Sequence, residues 1–206
     1  MNASVILAHP YKNSFNHAIY RQVIDTLISH KIEVFPHDLY REKFNPVLTV
    51  DELGKKPAKD RLVKKYTNEL MLSDYIIFIH PNWWGQPPAI LKGYIDRVIR
   101  PPHAYDFDDN CEGGLPVGKL GSKTGIVFNT SNTEENREET YFGDPLQNIW
   151  EKCIFGFCGM EKTYRKMYRI IADSSEQERK EWLGDIKNTI ECMLSGSLVY
   201  SRAGNI

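Results

Sequence analysis

The feature that most limits what this chain can fold into is an alternation. Strand-like runs change places with stretches of helical spacing almost from end to end. Ser4–Ala8 is short, continuous and β-rich, the pattern of a strand buried on both faces. From Phe15 to Ser29 the period becomes helical, with Phe15, Ile19, Val23 and Leu27 at every fourth position. Lys31–Phe35 predicts a second strand. Residues 36–57 are expected to be mainly loop, because Pro36, Pro46, Gly54 and Pro57 fall there. A helix over 58–72 turns Leu62, Tyr66 and Leu70 inward. Tyr75–Ile79 is the clearest central strand, and a helix follows through Leu91, Ile95 and Ile99. Residues 101–121 are irregular and rich in Pro and Gly, and a loop of that length is often functional. Gly125–Phe128 is the fourth strand. Pro145 opens a helix with Leu146, Ile149, Trp150, Cys153 and Ile154 on one side, and Thr163–Ile171 is the fifth strand. The last helix begins at Ser174 or Ser175, with Gln177 or Glu178 three residues on as in a capping box. It buries Trp182, Ile186, Ile190 and Met193. The tail 195–206 is unassigned.

Five strands alternating with helices imply an α/β domain with a parallel sheet and right-handed crossovers. The 206 residues are expected to form one domain, 1–206, a three-layer sandwich with the flavodoxin-like strand order 2-1-3-4-5. Composition removes several function classes. With 26 Lys plus Arg against 27 Asp plus Glu, the basic excess of a nucleic-acid protein is absent. No apolar run has the length of a membrane helix, and the first residues do not resemble a signal peptide. Cys111, Cys153, Cys158 and Cys192 show no metal spacing, so no metal site is expected. They are read as reduced thiols of a cytoplasmic protein.

In such sheets ligands bind at the carboxyl ends of the strands, at the switch point between strands 1 and 3. Three loops lie there. The first, residues 9–17, places His9 and Lys12 before a helix for which Ser14 is a candidate N-cap. It is either a phosphate site at a helix start or simply a capped helix. It contains no G-x-G-x-x-G dinucleotide fingerprint. The second, residues 81–87, exposes Trp83 and Trp84 beside Pro81 and Gly85. Large apolar groups clustered there serve either a flat ring or a partner surface. In the third, Asn129–Thr133 offers hydroxyls and amides, while Glu134, Glu135, Glu138 and Glu139 read as a solvated acidic surface. His17, His30 and His37 read as structural or surface residues, and His80 as lying beneath a ligand.

The combination of His9-Pro, Ser14-Phe-Asn16 and Pro81-Asn-Trp-Trp-Gly-Gln-Pro-Pro-Ala-Ile-Leu-Lys-Gly93 resembles the NAD(P)H:quinone oxidoreductase family, over nearly the whole chain. The resemblance implies a flavin enzyme that passes hydride in a ping-pong cycle from NADPH or NADH to a quinone or similar acceptor. It implies that His9, Ser14, Phe15 and Asn16 hold the flavin phosphate or pyrophosphate. Pro81, Asn82, Trp83, Trp84 and Gly85 would line the ring, with Thr130, Ser131 and Asn132 as the second ring-binding loop. Arg179 matches a position that can touch the adenosine of FAD; the shortness of the chain favours FMN, with FAD the alternative. A homodimer with a shared site is also implied. The sequence departs from the mammalian pattern after strand 4. Ser131 and Asn132 replace a glycine pair, Tyr141 stands in for a catalytic tyrosine, and Phe142 or Gly143 replaces a histidine. The mammalian carboxyl-terminal extension is missing too, as in the shorter bacterial branch. Two other readings are a one-electron carrier of the flavodoxin type and a flavin-binding regulatory subunit of a transporter.

Overall fold

The computed structural model describes residues 1–107 and 116–201. Cys111, Gly113 and Gly114 lie outside the described residues, as does the end of the tail. The sheet contains β1 (Asn2–Leu7), β2 (Glu33–Asp38), β3 (Tyr75–Pro81), β6 (Thr124–Ser131) and β7 (Lys162–Arg169), all parallel, in the order β2-β1-β3-β6-β7. This is the flavodoxin-like 2-1-3-4-5 arrangement. A small antiparallel hairpin, β4 (Tyr105–Phe107) and β5 (Pro116–Gly118), stands outside the sheet within the stretch expected to be irregular. The pairings Leu7 with Ile79 and Pro81 with Thr130 bring the carboxyl ends of β1, β3 and β6 side by side.

Alternate residues of β3 enter different cores. Ile76 and Phe78 pack with residues of α2 (Arg61–Leu72) and α3 (Ala89–Val98), while Ile77 and Ile79 pack with α1 (Phe15–Ser29) and α6 (Glu176–Ser195). Both faces are therefore apolar, which explains the unbroken hydrophobic runs in the sequence. Ser14 caps α1, accepting from the His17 amide, and Ser175 with Glu178 forms the capping box of α6. β2 continues through Pro36 to Asp38; an edge strand tolerates the missing amide.

One helix departs from the expected spacing. After α4 (Glu135–Arg137), a π-helical turn covers Glu138–Phe142. After α5 (Pro145–Gln147), a second π-helical segment covers Asn148–Gly156. The wider turn rotates the side chains relative to an α-helix. Leu146, Trp150 and Ile154 stay buried, but Cys153 faces solvent and Phe155 takes the inward place. Cys153, Cys158 and Cys192 are unpaired. In the tail, Ser201 bridges to Thr163 at the start of β7.

Candidate functional site

The three loops at the carboxyl ends of β1, β3 and β6 are joined by specific bonds. Asn16, in the first turn of α1, donates through Nδ2 to Thr130 Oγ1 at 2.8 Å. The Asn82 amide donates to the Thr130 carbonyl at 2.7 Å. Thr130 thus receives both neighbouring loops, and its own hydroxyl proton is left to donate. Asn16 Oδ1 is buried with no partner. A buried acceptor in this condition points to a group the protein is built to receive.

The first loop is arranged for an anion. His9 Nδ1 accepts from the Tyr11 amide at 3.1 Å, which assigns the ring proton to Nε2. Burial lowers the His9 pKa, so the ring is neutral and offers a donor. The first turn of α1 contains no acidic residue, leaving the positive end of the helix dipole uncompensated. The Phe15 ring does not face this region. It packs against Trp182 and Tyr168 with centroid separations of 5.6 and 6.4 Å, so its backbone amide is the group it can offer. His17 bonds Ser14 Oγ and Asp38, and His37 is buried against Tyr66 with Nε2 at 2.8 Å from Glu69.

The second loop is a tight turn. The amides and carbonyls of Trp83 and Gln86 bond reciprocally, and Trp84 and Gly85 have φ of 59° and 68°. That is the geometry of a type I′ turn, in which a non-glycine residue at the first central position is uncommon. The Asn82 side chain holds the turn from below: Oδ1 accepts from the Gly85 amide at 2.9 Å, and Nδ2 donates to Glu138 Oε1 at 3.0 Å. Trp84 is 100% exposed and Trp83 41%. The Trp83 ring lies 6.0 Å from the His9 ring, centroid to centroid, joining the first and second loops. Beside the turn is a cavity of about 390 Å³ that Asn82, Trp84, Gly85, Glu138, Phe142 and Pro145 help to line.

Glu138 is a correction to the sequence reading. It is buried, while Glu134, Glu135 and Glu139 are exposed as expected. The π-helical turn carries it inward to Asn82, and nothing in an acidic run signals which member turns in. Tyr141 is 77% exposed and does not line the cavity; its neighbour Phe142 does. Ser131 Oγ accepts from the Thr133 amide, and Asn132 Oδ1 from the Ala172 amide at 2.9 Å, so both brace the loop. Arg179 is tied to the turn before α6, bonding Ser174 Oγ and the Ile171 carbonyl at 2.8 and 2.9 Å.

Beneath the site, around His80, lies a buried polar chain whose connections sequence reasoning did not find. Arg165 bonds Asp144, Gln147 and Asn129; Asn129 Nδ2 bonds His80 Nε2 at 2.8 Å; Trp150 Nε1 donates to the same nitrogen at 3.0 Å. His80 Nδ1 then donates to the Pro81 carbonyl at 2.9 Å, and burial lowers the ring's pKa to about 4. A neutral His80 therefore fixes the backbone from which the tryptophan turn springs.

Residues 1–189 match the family described as flavodoxin-like fold. An uncharacterized NAD(P)H oxidoreductase of Haemophilus influenzae is 30% identical over 87% of this chain and 89% of its own length. The rat NAD(P)H dehydrogenase [quinone] 1 is 26% identical, over 96% of this chain and 79% of its own. A protein of known structure from Streptococcus mutans UA159 superposes with a TM-score of 0.80 at 31% identity, covering 92% of this chain and 98% of that one. The chain belongs to the NAD(P)H:quinone oxidoreductase family of flavodoxin-like proteins.

Proposed function

We propose that the protein is a flavin-dependent NAD(P)H oxidoreductase that reduces a quinone or a similar flat acceptor by two electrons in a ping-pong cycle. The observation that carries the reading is the Trp83–Gln86 turn, held open beside the Asn16–Thr130 bond. The residues fit a flavin on three counts. Asn16 Oδ1 is an unpaired buried acceptor, the first turn of α1 is free of acidic residues, and a fully exposed indole stands at the switch point. His9, Ser14, Asn16 and the Phe15 amide would hold the phosphate. Pro81, Asn82, Trp83, Trp84, Gly85, Thr130, Ser131 and Asn132 would border the ring. Bound there, a flavin supplies the hydride chemistry between nicotinamide and acceptor.

The chain's own residues position and exclude. Trp84 offers a stacking face to a planar reactant. The Thr130 hydroxyl, which accepts from Asn16, would have its proton free to donate to a bound flavin, and Glu138 holds the Asn82 side chain that supports the turn. Phe142, and not the exposed Tyr141, borders the cavity on its solvent side. FMN is favoured over FAD because the Arg179 guanidinium already bonds Ser174 and Ile171. A single domain, a homodimer with a shared site and a cytoplasmic location belong to the same proposal. Among the described residues, no helix is long and apolar enough to cross a membrane.

The test is direct. The purified protein is expected to be yellow, to release FMN on heating, and to oxidise NADPH or NADH with a quinone. Parallel lines in double-reciprocal plots would mark the ping-pong order. A colourless protein that neither FMN nor FAD reconstitutes overturns the reading.

A further inference from the structure

The cavity of about 390 Å³ has two walls from distant parts of the chain. One is the tryptophan turn, through Trp84 and Gly85; the other is the segment after the first π-helical turn, through Phe142 and Pro145. They stand close together. A Cβ placed on Gly85 would lie 3.0 Å from the Pro145 ring. Each wall also carries a non-glycine residue in the left-handed region, Trp84 with φ of 59° and Asp144 with φ of 43°. Such backbone persists only where its surroundings over-determine it, and it gathers at ligand clamps.

The second wall has few means of holding that shape. Residues 142–145 read Phe-Gly-Asp-Pro, so Asp144 carries their only polar side chain. Phe142 and Gly143 are exposed. Asp144 is secured from below: Oδ1 accepts from the Gln147 amide at 3.2 Å, and Oδ2 accepts from Arg165 Nη2. Arg165 belongs to β7, and only 6% of its side chain is exposed. Its other donors are also used. Nε donates to Gln147 Oε1 at 2.7 Å, and Nη1 to Asn129 Oδ1 at 3.1 Å. From Asn129 the chain of bonds continues through His80 to the Pro81 carbonyl, at the root of the tryptophan turn. One planar guanidinium therefore reaches both walls. A lysine ammonium, a single point of charge, does not match three acceptors spread around a rigid fork. Arg165 does not itself line the cavity. Its charge is met by Asp144, so its use there is geometric.

We propose that Arg165 is a positioning residue for the electron acceptor: it sets the gap between Trp84 and Phe142, and with it the fit of a flat aromatic ring system in the cavity. The proposal rests on the oxidoreductase reading for the role of the ring, but its first test needs no turnover.

The full-length protein, as isolated, is titrated calorimetrically with 2-naphthol, a flat two-ring phenol that cannot accept hydride. The titration is repeated with Arg165→Lys and with Asp144→Asn at equal flavin content, after circular dichroism has shown that each is folded. Asparagine tolerates the left-handed backbone, so the second variant removes the ion pair and keeps the local conformation. Affinity is expected to fall at least about tenfold in each variant, a difference of about 1.4 kcal/mol. With a quinone as acceptor, KM should rise by a similar factor while kcat changes less than about threefold, because the walls hold the ring alike in ground and transition states. A merely structural role would lower the urea midpoint and leave affinity and KM in place.

Native affinity and KM in the folded variants overturn the proposal, and if one variant does not fold the other decides. Failure of the native protein to bind the probe overturns it too. Normal turnover with unchanged probe binding in the variants removes the positioning role and leaves the oxidoreductase reading standing. Loss of probe binding in variants of a protein that oxidises neither NADPH nor NADH would sustain the positioning role while the oxidoreductase reading fails.

Discussion

Asn16 Nδ2 donates to Thr130 Oγ1 at 2.8 Å, a buried bond between residues 114 apart in sequence. It joins the start of α1 to the end of β6 across β3, so one hydroxyl helps set the spacing of the site.

Thr130→Val keeps the shape and removes the acceptor. The Asn16 amide then stays buried without a partner, at a cost of about 1–3 kcal/mol. Thr130→Ser should retain most of the stability. Urea denaturation of the three proteins measures this, and weaker flavin retention in Thr130→Val alone would link the bond to the cofactor site.

Trp84 holds a left-handed backbone with its ring in solvent. Trp84→Gly removes the conformational strain, about 1–2 kcal/mol, against a larger loss of chain entropy on folding. Stability should be unchanged or up by about 1 kcal/mol. Turnover with a quinone should nevertheless fall by at least about tenfold, equivalent to about 1.4 kcal/mol, if the indole stacks on a reactant. Thermal melts and steady-state rates on the same samples separate the two effects.

His80 has its pKa lowered by burial to about 4, against an ordinary histidine value of 6.5. Above about pH 6.5 it is neutral in both folded and unfolded chains. As pH falls from there toward 4, the unfolded chain takes up a proton that the folded one refuses. Stability therefore declines across that window, by about 3 kcal/mol from this residue. Denaturant midpoints measured across the window should follow this trend, and the His80→Gln variant should show a shallower slope.

Arg97 makes a two-pronged bond to Glu52 through Nε and a terminal nitrogen, at 3.0 and 2.9 Å, with both side chains buried. Arg97→Met strands the carboxylate and should cost about 3–5 kcal/mol, while pairing it with Glu52→Leu should recover much of the loss. A double-mutant cycle in urea gives the coupling.

Gly93 packs so closely on the 39–60 loop that an added Cβ would sit 2.3 Å from the Pro46 carbonyl oxygen. Gly93→Ala should lower stability by about 1–3 kcal/mol or more, read as a reduced melting temperature. This contact explains the glycine that closes the Pro-Ala-Ile-Leu-Lys-Gly stretch.

The sequence alone determined the layers of this protein and which loops gather at the carboxyl ends of β1, β3 and β6. Periodicity reports burial locally, so the β3 run and the face Phe15, Ile19, Val23 and Leu27 could be read directly. Ser14 and Ser175 were visible as caps because a cap is a bond between near neighbours. Tertiary structure decided whatever depends on register between distant strands or on the exact turn of a helix. Glu138 looked like its exposed neighbours until a π-helical turn carried it to Asn82. Cys153 left the core for the same kind of reason. Asn129, Asp144 and Arg165 were three scattered polar residues in the sequence. They meet because β6 and β7 run side by side, and no local pattern encodes which strand a strand will choose.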